Sequence, residues 1–388
     1  MNKEYAVAFA GGGTKGAYQV GVIKALKELN IKISAVSGAS IGTINAAMFV
    51  QDSIKELEKL YKNIKVEDIL YLKDSSNIDT KKSLLDPKNI MKLLSEMFIS
   101  RGISNQPLKE LLIKNINLDK LYSSKIDFSF MVYDATNKKG VELTRDNIPK
   151  EKMIDYILAS TCFPIFKPQK INNKKYIDGG FSDNIPIDVL IKKGYKDIIV
   201  VDILGIGVIK KNTYKNINFK VIKPKESIGG LFEFNPETIH NNIIKGYLDT
   251  LKSFHKLVGL NYLFPKKEYY KLLDKFTIEE IMSLENAADY YRLDKLKKYS
   301  YNTFTKELLT NYEADLKKYK KISKDITNIK SIKELVKNKL VFPLIEDISN
   351  NYPTLLTTYK GIFSKYTSAS DSLKILYKEN NNENNRLS

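Results

Sequence analysis

The sequence predicts an α/β protein: a mostly parallel central sheet covered by helices in three layers, followed by a helical C-terminal region. Three observations carry that expectation. The apolar run Tyr5–Ala10 leads through a glycine-rich segment into the helix-like Ala17–Leu26. A second run, Ile31–Val36, leads through Gly38-Ala39-Ser40-Ile41-Gly42 into Ile41–Val50, helix-like with a small-residue face. Strand-length and helix-length patterns then keep alternating, as βαβ units require. From about Leu260 onward Lys, Tyr, Leu and Asn recur in helical periods, with Gly361 the single glycine.

The first glycine segment, Gly11-Gly12-Gly13-Thr14-Lys15-Gly16, satisfies G-x-G-x-x-G between a strand and a helix. A dinucleotide-binding loop of this kind predicts an acidic residue about twenty positions on, to hold the ribose. The chain has Val36-Ser37-Gly38 there. A phosphate-binding Walker loop fails as well, because Gly16 and not Ser or Thr follows Lys15. What remains is a run of backbone N–H groups able to converge on a developing oxyanion, with the Lys15 charge nearby.

The second segment has the spacing of a nucleophile elbow, a sharp strand-to-helix turn that exposes a serine, with small residues two positions away on either side. A helix beginning at Ser40 points free N–H groups and its positive dipole end at the serine oxygen. A five-residue pattern also arises by chance, but the flanking strand and helix favour the functional reading. Gly38, Ile41 and Gly42 are the expected supports of the turn.

Between residues 66 and 110, Leu84-Leu85-Asp86-Pro87 precedes the amphipathic Ile90–Ile99. Its methionines and phenylalanine suit a cap lining an acyl-chain entrance, and equally suit a core-packing helix. A serine nucleophile needs a base, and the chain has only two histidines, His240 and His255, both far downstream in helix-like sequence. A Ser-His-Asp triad requires one of them to reach the elbow. Asp178 is the favoured base: it ends the extended segment Tyr176-Ile177-Asp178, and Gly179 and Gly180 permit a tight turn against another backbone.

Together these segments resemble the patatin-like phospholipase family, whose members use a Ser-Asp dyad without histidine. The family's G-G-G-x-[KR]-G element matches Gly11–Gly16, its G-x-S-x-G matches Gly38–Gly42 and its D-G-[GA] matches Asp178–Gly180. A small-Ser element followed by proline appears as Ala159-Ser160 and Pro164, and the asparagine and proline that follow D-G-G appear as Asn184 and Pro186, the latter suited to the first turn of a helix ending near Gly194. The likeness spans residues 1–258, because Phe219–Ile222 and Gly246–Thr250 look like the last strand and helix of bacterial members. It implies an α/β-hydrolase-related architecture. It also implies that Ser40 attacks an ester carbonyl, that Asp178 accepts its proton, and that amides of Gly12, Gly13 and Thr14 stabilise the oxyanion. No metal or other cofactor is implied. An aspartate of ordinary pKa is a weak base for a serine hydroxyl, so Asp178 is expected to be held close in a site that excludes water.

The expected organisation is a hydrolase domain over 1–258 with a cap region within 66–110, a helical region over 259–378 and a low-complexity, disordered tail over 379–388. The chain has 388 residues and a net charge of +18. That charge suits anionic phospholipid surfaces and nucleic acid alike. The lysines are spread along the whole chain, as solvated helix faces are, so no nucleic acid partner is expected. No stretch approaches the roughly twenty apolar residues of a membrane-spanning helix. The chain opens on a strand-like run, and its one cysteine, Cys162, has no partner for an internal disulfide. A cytoplasmic protein working peripherally at membranes is the expectation, with secretion by a signal-less route as the alternative. The functional expectation is a lipid acyl hydrolase of phospholipase A or lysophospholipase type. An acyltransferase or thioesterase using the same acyl-serine ranks second, and a non-catalytic nucleotide-binding or scaffold protein last.

Overall fold

The computed structural model describes residues 3–69, 104–210, 214–322, 329–358, 363 and 366–387. The chain forms two compact units, 1–254 and 255–388.

The first unit is built on an eight-stranded sheet: β1 (Glu4–Phe9), β2 (Lys32–Gly38), β3 (Asp127–Asp134), β4 (Lys139–Thr144), β5 (Gln169–Ile171), β6 (Lys174–Asp178), β7 (Asp197–Val201) and β8 (Asn218–Ile222). Strands β3, β2, β1, β7 and β8 run parallel in that order. Ala6–Phe9 of β1 are fully buried, which is why the strand reads as a continuous apolar run instead of alternating. The covering helices are α1 (Ala17–Glu28), α2 (Ile41–Val50), α3 (Ile54–Asn63), α4 (Gln106–Asn115), α5 (Leu118–Ser123), α6 (Met153–Ser160), α7 (Asp188–Lys192) and α8 (Pro236–Ser253). Pro186 lies just ahead of α7, and Gly194, at φ +92°, follows its end.

The sheet is mixed at one end. After β3 the Asp134 carboxylate accepts the N–H groups of Thr136 (3.0 Å) and Asn137 (2.9 Å), a side-chain-closed turn that returns the chain as antiparallel β4. Strands β5 and β6 are antiparallel additions too. Strand β4 occupies one edge of β3, so β2 and β6 must share the other. β2 pairs up to Gly38 opposite Phe130, and β6, running the opposite way, ends at Asp178 opposite Val132. The ends of two strands remote in sequence therefore meet along one edge of β3, two residues apart in its register.

The second unit is helical as expected, with α9 (Lys266–Leu273), α10 (Ile278–Tyr290), α11 (Tyr301–Ile322), α12 (Ile329–Lys337), α13 (Val341–Asn351), α14 (Pro353–Thr358) and α15 (Thr367–Leu387). Tyr262, Phe264, Tyr299 and Phe304 form a buried aromatic cluster in its core. A short antiparallel pair, β9 (Leu257–Val258) and β10 (Phe264–Pro265), was not anticipated. Helix α15 extends to Leu387 through the stretch expected as a low-complexity tail, and Ala369, Leu373 and Leu376 in its earlier part are in the core. Leu84–Pro87 and Ile90–Ile99 of the expected cap lie outside the described residues.

Candidate active site

Ser40 sits between β2 and α2 with φ 52° and ψ −127°, a positive-φ conformation outside the left-handed helical region that L-residues seldom adopt. The turn is braced from α6: the Ser40 N–H donates to Ser160 Oγ (3.2 Å), which also shares a hydrogen bond with Thr43 Oγ1 (2.8 Å). That gives Ser160, noted only for its motif, a supporting function. A Cβ on Gly42 would lie 2.3 Å from the Phe9 carbonyl oxygen, a backbone atom of a central strand. Gly42→Ala is accordingly expected to lower stability by about 3 kcal/mol, as overpacked cores do, measured as a fall in the urea midpoint.

The glycine run enters a short 3-10 turn, Gly13–Gly16, that leads into α1. Its amides are not equally available. The Gly11 N–H donates to the Asn184 carbonyl (3.1 Å), Thr14 N–H to the Leu231 carbonyl (2.9 Å) and Lys15 N–H to the Gly12 carbonyl (3.3 Å). Thr14, expected as a third oxyanion donor, is thus committed elsewhere. Among the described residues, only the Gly12 and Gly13 amides of the Gly11–Lys15 stretch have no such partner. Lys15 Nζ donates to the Leu204 carbonyl (2.8 Å), and burial lowers its pKa. Gly13 has φ +57°, and a Cβ there would meet the Leu231 carbonyl oxygen at 2.1 Å. The Thr14 hydroxyl ties the same segment down by accepting the Glu233 N–H (2.8 Å).

Asp178, at the end of β6, is buried. Its Oδ1 accepts the Gly180 N–H (2.8 Å), and its Oδ2 has no well-aligned hydrogen-bond partner. Burial pushes the carboxyl up to about 6, and the neighbouring Ser40 hydroxyl and the Gly180 amide offset part of that rise. The Ser40 contact is loose: near enough to act on the carboxyl's charge, short of good hydrogen-bond geometry. Asn184, also buried, donates from Nδ2 to the Gly11 carbonyl (3.3 Å) and so joins the segment after Asp178 to the glycine run. His240 and His255 are exposed, and neither lines the groove described next.

From Ser40 a groove of about 900 Å³, counting the solvent at its mouth, runs between α2, α3 and α4. Ile44, Met48, Leu57, Leu112, Phe166 and Phe232 are among its apolar walls. Ser40, Ile44 and Met48 are spaced one helical turn apart, so the groove follows one face of α2 away from the nucleophile. Ile69 and Leu108, near the two ends of the 66–110 stretch, line it as well. Leu231 and Phe232 were missed from sequence. The signal that marks them is Gly229-Gly230, a turn that brings a Leu-Phe pair back to the glycine run.

Residues 7–191 match the family model described as patatin-like phospholipase. The chain is 25% identical over 201 residues to patatin-like phospholipase domain-containing protein 7 of Rattus norvegicus, a match covering 51% of this chain and 13% of that protein. It is 26% identical over 251 residues to a protein of Invertebrate iridescent virus 6 named "Probable lipid hydrolase 463L", covering 62% of this chain and 83% of the relative. Among solved structures it is similar to VipD from Legionella pneumophila, with a TM-score of 0.43 and 14% identity, over 97% of this chain and 90% of that one.

Proposed function

We propose, from the match of residues 7–191 to the patatin-like phospholipase family model, a lipid acyl hydrolase that cleaves carboxylic esters of glycerophospholipids through an acyl-Ser40 intermediate. The observation that carries the reading is the meeting of a strained elbow serine and a buried, unsatisfied aspartate at the head of an apolar groove.

Asp178 acts as general base. Its Oδ2 takes the Ser40 proton as Oγ attacks the ester carbonyl, and the Gly12 and Gly13 amides receive the oxyanion. Collapse expels the alcohol, which regains the proton from Asp178. Water, deprotonated by the same carboxylate, then releases the fatty acid. A base matched to near-neutral pH is more effective than an ordinary aspartate, and burial supplies that match by raising the carboxyl to about 6. The acyl chain lies along α2, where its burial in place of water favours long chains.

The test is release of fatty acid from phosphatidylcholine and phosphatidylglycerol vesicles with chelator present throughout. Turnover by the unaltered chain supports the reading, and absence of both turnover and fluorophosphonate labelling overturns it. Chain-length preference gives a finer check. Met48→Trp narrows the groove two turns from the nucleophile. It is expected to leave p-nitrophenyl butyrate hydrolysis near wild type while cutting kcat/KM for the palmitate ester about tenfold or more, since shape discrimination in apolar pockets is worth one to two powers of ten.

A further inference from the structure

The segment after β7, Leu204-Gly205-Ile206-Gly207-Val208-Ile209, is apolar throughout yet turned to solvent. Leu204 is 49% exposed, Ile206 70%, Val208 50% and Ile209 51%. Phe181, next to Gly180, adds a further exposed apolar side chain at 44%. Scattered exposed aliphatics are ordinary, but four on one six-residue loop form a contiguous patch that has a use.

The loop is not loosely attached. Its backbone is fastened to both halves of the candidate site. The Val208 N–H donates to the Gly180 carbonyl (2.8 Å) and the Val208 carbonyl accepts the Asn184 N–H (2.7 Å), tying it to the turn after Asp178. At Gly205 a Cβ would fall 1.9 Å from the Gly11 carbonyl oxygen, while Gly11 itself faces the Ser40 Cβ, so the loop backbone runs directly behind the glycine run. Leu204 is held at φ 52°, uncommon for so bulky a residue, with its N–H on Asp202 Oδ1 (2.8 Å) and its carbonyl on Lys15 Nζ (2.8 Å). The fold keeps its small, permissive residues against the site and spends strained backbone to aim the apolar ones outward.

We infer that the Leu204–Ile209 loop is the edge by which this protein inserts into an anionic acyl-lipid bilayer, seating the mouth of the Ser40 site on the membrane. The choice of a lipid surface over a protein partner rests on the acyl-lipid reading above and on charge. Between Asp202 and Lys225 the sequence has six lysines and one acidic residue; Lys210 is paired with Asp183 and Asp188, and beyond it the apolar loop leads into a basic stretch, the pairing that anionic bilayers attract.

The test uses the full chain with Ser40→Ala, so that lipid is not consumed, and with or without Ile206→Gln/Ile209→Gln. Both altered side chains point to solvent and take no part in the hydrogen bonds just described. Binding is read by co-sedimentation with vesicles of phosphatidylcholine plus phosphatidylglycerol and of phosphatidylcholine alone. The expected result is binding to the mixed vesicles, weaker binding to the neutral ones and a loss of about tenfold or more in the double variant, as removal of two inserted aliphatic side chains implies. With Ser40 restored, the double variant is expected to keep its rate on soluble p-nitrophenyl butyrate and to hydrolyse vesicle phospholipid about tenfold more slowly. Failure of the unaltered loop to sediment with mixed vesicles overturns the inference, as does equal sedimentation of the double variant. So does conversion of a dimer to a monomer by the loop substitutions with vesicle binding unchanged, which identifies a second copy of the chain as the occupant. Vesicle binding with neither ester turnover nor fluorophosphonate labelling upholds the docking edge and sinks the hydrolase reading, so the two fail separately.

Discussion

Ser40→Ala is expected to reduce fatty acid release by about a thousandfold or more and to eliminate fluorophosphonate labelling, while the thermal midpoint stays close to wild type. The reason is the lack of a substitute nucleophile. Cys162 is fully buried, and burial holds its thiol up at about 12. Ser160 and Thr43 are buried and hydrogen-bonded to each other behind the elbow. Alanine inherits the same unfavourable φ as serine, so the backbone strain at the turn is unchanged and stability isolates the chemistry from the fold. Activity surviving in this variant sinks the acyl-serine mechanism.

Asp178→Asn is expected to destroy turnover to a similar degree and yet to make the protein more stable at neutral pH. A base must be ionised to work, so wild-type kcat/KM is expected to fall as pH drops through about 6 and to level off above it. The stability effect has the opposite sense. The carboxyl's pKa is raised on folding from 3.8 to about 6, so between those values the native state holds more protons than the unfolded one. Stability therefore declines as pH rises across that window and is flat beyond it, a deficit of about 3 kcal/mol for a fully buried group. Asparagine has no charge to bury. The variant should melt above wild type at pH 7 to 8, with the gap closing toward pH 4. Asp183, also pushed up to about 6 by burial with Lys210 beside it, titrates in the same range but is common to both proteins, so the difference curve belongs to Asp178. Equal melting of the two proteins at all pH values contradicts the burial of a charged carboxylate at this point. A site that costs stability for function is the usual trade in enzymes.

Much of this was legible in the chain, for a physical reason. A strained turn and a close backbone approach both demand glycine at fixed offsets, so the loop at Gly11–Gly16, the elbow at Gly38–Gly42 and the turn at Asp178–Gly180 write themselves into short stretches of sequence. Buried parallel strands do the same through unbroken apolar runs, as at β1 and β7. The availability of individual amides was not legible. Whether Thr14 N–H is free depends on the Leu231 carbonyl, more than two hundred residues away, and no local pattern encodes that. The antiparallel strands were hidden similarly, because β4 and β6 follow from a side-chain-closed turn and from vacant edge length on β3. The groove wall at Phe232 and the apolar loop at Leu204–Ile209 read as ordinary connecting sequence. Composition pointed to disorder over 379–388, and no local pattern there tells that α15 runs on to Leu387.

The end-to-end meeting of β2 and β6 along β3 has a consequence for how the molecule matures. Ser40 and Asp178 are brought together by pairing, so neither half-sheet contains a working pair. Strand β6 must dock with its register correct to a single residue, since a slip of one turns Asp178 to the opposite face. Pairing of β2 with β3 and of β6 with β3 both join residues far apart in the chain, β2 with β3 the farther, so each must meet a loop-closure entropy before it forms. On the proposed mechanism, a chain in which either pairing is missing is catalytically silent. Activity by the proposed mechanism then waits on two strand pairings and not on the elbow alone.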